Sequence, residues 1–98
     1  MTLSIPHQLS QEEALTRVKG LITKLKQEQA GRITSSKEDW NDNNGNFEFT
    51  AMGYTIAGTT SVKPSSVDID ANLPFALTFF KGAIQETITR QLNELLKP

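Results

Sequence analysis

The sequence predicts a single α+β domain, residues 1–98, in the order β-α-β-β-β-β-α, with a five-stranded antiparallel sheet and both helices on one face. Three observations carry this reading. Apolar residues recur at helical spacing between Ser10 and Gly31 and again after Pro74. The stretches between and before these segments alternate apolar and polar residues and are punctuated by turn formers. A length of 98 residues is enough for one hydrophobic core and too short for two.

The first strand is read from Leu3, Ile5 and His7, which alternate with Ser4, Pro6 and Gln8. Pro6 lacks a backbone donor, which places this strand at a sheet edge. Ser10-Gln11-Glu12-Glu13 then forms a capping box that opens a helix. Ala14, Leu15, Val18, Leu21, Ile22 and Leu25 make its apolar stripe, with Lys24 and Lys26 near its negative end and Gly31 as its stop. Gly20 falls in mid-helix at a cost of about 1 kcal/mol against Ala, and close packing on the sheet is its expected reason.

Residues 32–43 are polar, with Ile33 and Trp40 as anchors, and read as a strand. The run from Asn41 to Asn46 is the strongest turn signal, and Asn44-Gly45 suits a two-residue hairpin with positive φ. Phe47 and Phe49 alternate with Glu48 and Thr50 in the return strand, and Gly53 marks a break or bulge after it. Residues 54–62 follow, with Tyr54, Ile56, Thr60 and Val62 on one face, then Val67, Ile69, Ala71 and Leu73 in a half-buried strand. The last segment reads as one long helix from Pro74, with Leu77, Phe80, Ile84, Ile88, Leu92 and Leu95 as its stripe. Glu86, Arg90 and Glu94 are spaced for i,i+4 pairs on its solvent side. Short turns make the middle strands an antiparallel meander, and adding the first strand beside the fifth gives the order 2-3-4-5-1. This is a reduced, helix-grip-like architecture by analogy, and the analogy fixes no function.

Composition narrows the function classes. Ten basic against eleven acidic side chains give a net charge of −1, a balance unsuited to broad nucleic-acid binding. The absence of cysteine excludes disulfides, thiolate metal sites and cysteine nucleophiles, and a single histidine excludes a multi-histidine metal centre within one chain. No apolar run reaches the roughly 20 residues that span a membrane, and no secretory leader is seen, so the cytoplasm is the expected location.

Candidate sites are few. A calcium loop built around Gly45 would place Trp40 and Ala51 at ligand positions, where neither offers a side-chain oxygen. Asp68 and Asp70 share one strand face and read as solvated carboxylates. His7 ends the first strand on its apolar face and is expected to bond a backbone carbonyl or lie at the rim of the core. No nucleophile or orienting acid accompanies it, so no catalytic residue and no cofactor are assigned, and the protein is read as a non-enzyme. The Thr-rich outer face of the fourth strand reads as solvated, with a dimer surface as the other reading.

Two aromatics break the pattern. On a helical wheel at about 100° per residue, Phe75 and Phe79 fall nearly opposite the last helix's stripe, beside Gly82 and Glu86. Either they tuck beneath the first helix or the first turn, or they form an exposed apolar patch rimmed by Lys81 and Glu86. Such a patch marks a partner or surface-binding site, and Gly82 lets another backbone approach closely. A second possibility is a hydrophobic-ligand cavity between the sheet and the last helix, lined by Phe47, Phe49, Ile56, Val67, Ile69, Phe80 and Ile84. A filled core is the ordinary outcome for so short a chain.

Across residues 3–96 the pattern resembles the polyhydroxyalkanoic acid system family, small bacterial proteins linked to storage-polyester granules. The residues that carry the resemblance begin with Ile5, His7 and Leu9, then Glu13-Ala14 and Arg17. Trp40, Gly45, Phe47, Phe49 and Gly53 follow, with Gly58, Val62, Val67 and Ile69. Leu73-Pro74 leads to Phe80-Lys81-Gly82, the sharpest local match, and then to Ile84, Ile88, Leu92, Leu95 and Leu96. The low charge and the Asn-rich turn depart from the family's usual pattern. The resemblance implies a granule-associated or regulatory accessory protein and carries over no catalytic residues. Its expected partner is a polyhydroxyalkanoate granule or a granule protein, and a homodimer is the other use of the same surface.

Overall fold

The computed structural model describes residues 1–28, 31, 33–51 and 53–98, apart from the side chains of Ile22, Leu25 and Lys26. The parts assigned above to Ile22, Leu25 and Lys26 therefore lie outside what is described. The elements run β1 (Thr2–Pro6), α1 (Gln11–Lys19), α2 (Leu21–Glu28), β2 (Ile33–Asn41), β3 (Asn44–Ala51), β4 (Tyr54–Val62), β5 (Ser66–Asn72), a 3₁₀ segment (Phe75–Phe80) and α3 (Lys81–Leu95). All strand pairs are antiparallel, in the order β1-β5-β4-β3-β2. This is the order read from the sequence, and the edge position of β1 follows from Pro6. The helix-grip comparison stays an analogy, since α3 packs on the β1 side of the sheet and against α1 and α2.

Strand alternation sets the core. Leu3 and Ile5 of β1, Val62 of β4, and Val67 and Ile69 of β5 point to one face, where Ala14, Val18, Leu21, Leu92 and Leu96 cover them. The other face stays wet. Ser4 donates to Asp68 across β1 and β5 at 2.7 Å, and Thr50 and Thr55 share a hydroxyl contact of 3.1 Å across β3 and β4.

Four local expectations change. Gly20 does not press on the sheet. It is exposed and ends α1, its N–H bonding the Arg17 carbonyl at 3.1 Å, so the predicted single helix is two. The β2–β3 turn is Asp42-Asn43, because Asn41 pairs with Asn44. Asp42 takes the left-handed conformation at φ 56°, a role short Asp side chains tolerate. Gly45 instead lies within β3 opposite Trp40, whose ring would stand 2.7 Å from any added Cβ. Glycine is required there by the indole, not by the turn.

The third change concerns ion pairs. Glu94 pairs with Lys97 at 3.3 Å, and Arg90 makes no ion pair among the described residues. The fourth is at the start of the last helix. Residues 75–80 are wound as 3₁₀ and the α-helix begins only at Lys81. Other features agree with the sequence reading. The Ser10 hydroxyl accepts from the Glu13 N–H at 3.1 Å, one half of the capping box, while the Glu13 carboxylate bonds Arg17 Nε at 2.9 Å instead of reaching back. Gly31 and Gly53 have positive φ, 89° and 83°.

Candidate surface-binding site

The segment after β5 is positioned by Pro74, whose φ of −55° turns the chain out of the sheet into the 3₁₀ winding. Leu77 N–H bonds the Pro74 carbonyl at 2.9 Å, and the Thr78 hydroxyl donates to the Phe75 carbonyl at 2.7 Å. No residue of the segment is buried. Phe75 is 87% exposed and Phe79 90% exposed. The alternative in which these rings tuck under the first helix is thereby excluded. Phe80, assigned by its spacing to the buried stripe, is 59% exposed and joins them. The misassignment has a simple cause. The wheel assumed one unbroken α-helix, whereas α3 begins only at Lys81 and Phe80 stands just before it, at φ −100° and ψ 6°, on the bend between the two windings.

Three exposed phenylalanines in six residues form an apolar protrusion, since each such ring carries roughly 150–250 Å² of buriable area. Lys81 and Glu86 are exposed beside it, as the sequence suggested, and Gly82 has open space around its Cα. Tyr54 was not singled out from the sequence. It is 39% exposed and belongs to the same end of the sheet, because Asn72, the last residue of β5, pairs with Ala57. Its position at the first residue of β4 was the available signal.

The cavity expectation fares differently. A crevice between the helices and the sheet is lined by Phe47, Phe49, Trp40, Val18, Leu21 and Ile88, among others. Its free volume is about 30 Å³. Ligand pockets usually hold about 300–1,000 Å³. Of the residues expected there, Ile69 lines it as well, while Ile56, Val67, Phe80 and Ile84 do not. Phe47 and Phe49 stack at 6.3 Å, and Lys19 lies 5.8 Å from the Trp40 ring, so aromatic packing takes up this side of the sheet. A wider depression of about 400 Å³ is open to solvent along α3, between Leu3 and polar side chains such as Gln85 and Arg90.

The titratable candidates are held in structural contacts. His7 is buried, its Nδ1 accepting from the Leu9 N–H at 3.1 Å. Its Nε2 therefore carries the proton and donates to the Lys63 carbonyl at 2.9 Å. This is the backbone bond anticipated for it, tying the end of β1 to the β4–β5 connection. Asp68 is more than a solvated carboxylate. The ammonium of Lys63 at 2.6 Å, then the hydroxyls of Ser4 and Ser66, hold its carboxyl below the ordinary carboxylate value of 3.8. Among the described residues no three or more His, Asp or Glu side chains gather in a way that could hold a metal ion.

Residues 1–96 match the family described as "Putative polyhydroxyalkanoic acid system protein". The chain belongs to that family. Neither a curated protein nor a solved structure matches it. The match takes in the whole sheet, all three α-helices and the aromatic protrusion, and it agrees with the resemblance read from the sequence. In this member of the polyhydroxyalkanoic acid system family, Phe80-Lys81-Gly82 stands at the junction of the 3₁₀ segment and α3. No helix among the described residues is long and apolar enough to cross a membrane.

Proposed function

We propose that this protein is a non-enzymatic accessory protein of the polyhydroxyalkanoate storage system, and that it settles on the apolar surface of a granule through Phe75 and Phe79. The single observation behind this reading is the near-complete exposure of Phe75 and Phe79, at 87% and 90%. Family membership supplies the context in which an apolar surface is available. Full transfer of a phenylalanine side chain from water is worth roughly 1.5–3 kcal/mol. Partial insertion of these two rings gives a reversible attachment, comparable in kind to other shallow surface anchors. Gly82 leaves room for the surface to approach the first turn of α3. The cytoplasm is the location this reading assigns.

The ligand-carrier alternative finds no support, since a crevice of about 30 Å³ holds little more than a water molecule. A dimer contact remains the competing use of the patch, because a two-fold axis can bury the same rings from both copies. Cosedimentation of the purified protein with native polyhydroxyalkanoate granules tests the proposal. The protein should pellet with granules and stay in the supernatant without them. A supernatant protein in both tubes, running as a dimer in sedimentation velocity, would replace the granule surface by a second copy.

A further inference from the structure

The sequence from Phe75 to Leu96 is patterned for one continuous α-helix, yet its first six residues are wound as 3₁₀. In an α-helix Leu77 and Phe80 fall on the same side as Ile84 and Ile88, while Phe75 and Phe79 stand about 40° apart with Gly82 beside them. In the 3₁₀ winding Phe75 and Phe79 are splayed by about 120°. The observed form therefore scatters a ridge that the sequence assembles.

Little holds the segment in that form. Runs of 3₁₀ longer than about four residues are uncommon, and this one has six. None of its residues is buried and no side chain caps its start. Its packing is against α3. The Thr78 hydroxyl bond to the Phe75 carbonyl is local to the winding. A 3₁₀ segment of this length spans about 3 Å more than the α-helical form, which helps the chain reach from β5 to α3. Extending α3 backwards needs no new helix nucleus.

We propose that residues 75–80 convert from 3₁₀ to α-helix when the patch meets an apolar surface, so that α3 begins at Phe75. The inference rests on the granule-surface reading and states how that site engages. The change gathers Phe75 and Phe79 into one ridge facing the surface and turns Phe80 toward Ile84 and Ile88. In water the gathered ridge stays exposed and gains nothing. On an apolar surface it is buried, and that difference between the two states is what shifts the equilibrium.

Nuclear magnetic resonance of the intact protein, in buffer and with dodecylphosphocholine micelles, tests this beside the granule assay. Micelles should bring out α-type i,i+4 contacts, Phe75 to Phe79 and Ala76 to Phe80, that are absent in buffer. Thr78→Ala removes the hydroxyl bond and favours helix, so it should bind micelles about two- to three-fold more tightly. Binding with the 3₁₀ contacts unchanged, or with Thr78→Ala no tighter than the parent, overturns the conversion and leaves the granule reading standing. A protein that binds neither granules nor micelles overturns both.

Discussion

Asp68 shows how much a single carboxylate does at the β1–β5 edge. Lys63 at 2.6 Å and the Ser4 hydroxyl at 2.7 Å both favour its ionised form. Its folded value lies below the unfolded one, so its contribution is present above the ordinary 3.8 and is lost as pH falls through the lowered folded value. Asp68→Asn should therefore cost under about 1 kcal/mol at pH 7, in keeping with a partly exposed pair. Thermal melts of parent and variant should converge as the pH is lowered below 3.8. Gly58 is a stricter case. An added Cβ would meet the Asp70 carbonyl oxygen at 2.3 Å and the Phe47 ring at 2.8 Å, so no small side-chain movement relieves it. Gly58→Ala should lower stability by about 1–3 kcal/mol, read as a reduced urea midpoint with an unchanged slope.

At the scale of elements, the strands were legible because a period of two places Leu3, Ile5, Val67 and Ile69 on one face without ambiguity. The helices were legible as helices but not in their interruptions. Gly20 was read for packing, when its use is to end α1. The Asn-rich turn was placed two residues late. Asn44-Gly45 is the stronger turn dipeptide, but the Trp40 ring claims Gly45 for close approach across the strand pair. That contact is tertiary, and no local propensity encodes it. The same is true of Arg17. Its Nη1 donates to the carbonyls of Leu95, at 3.1 Å, and of Lys97, and its Nε bonds Glu13 at 2.9 Å. One guanidinium from α1 thus caps the C-terminal carbonyls of α3, where a cation also suits the helix dipole. Arg17→Ala should fray the last turn of α3. Faster amide exchange at residues 94–97, with little change in α1 or β5, is the expected signature.

For the whole molecule, the helices leave one aromatic element uncovered. Leu92 is fully buried under α1 and the sheet, while Phe75 and Phe79, on the segment leading into the same helix, lie almost wholly in water. The sequence located both rings off the stripe but left two outcomes open, burial at the helix end or an exposed patch. Only the path of the chain after Pro74 separates them. Phe80 was misplaced because α3 starts only after it, which leaves the ring at the bend between the 3₁₀ segment and the helix. The central claim is that this uncovered element is the contact surface. The most direct measurement compares the parent with a Phe75→Ser/Phe79→Ser double variant in granule cosedimentation. Both rings are exposed, so the variant should keep its melting behaviour within about 0.5 kcal/mol of the parent. The account predicts that the parent pellets with granules and that the equally folded variant stays in the supernatant. A folded variant that pellets as fully as the parent would contradict it.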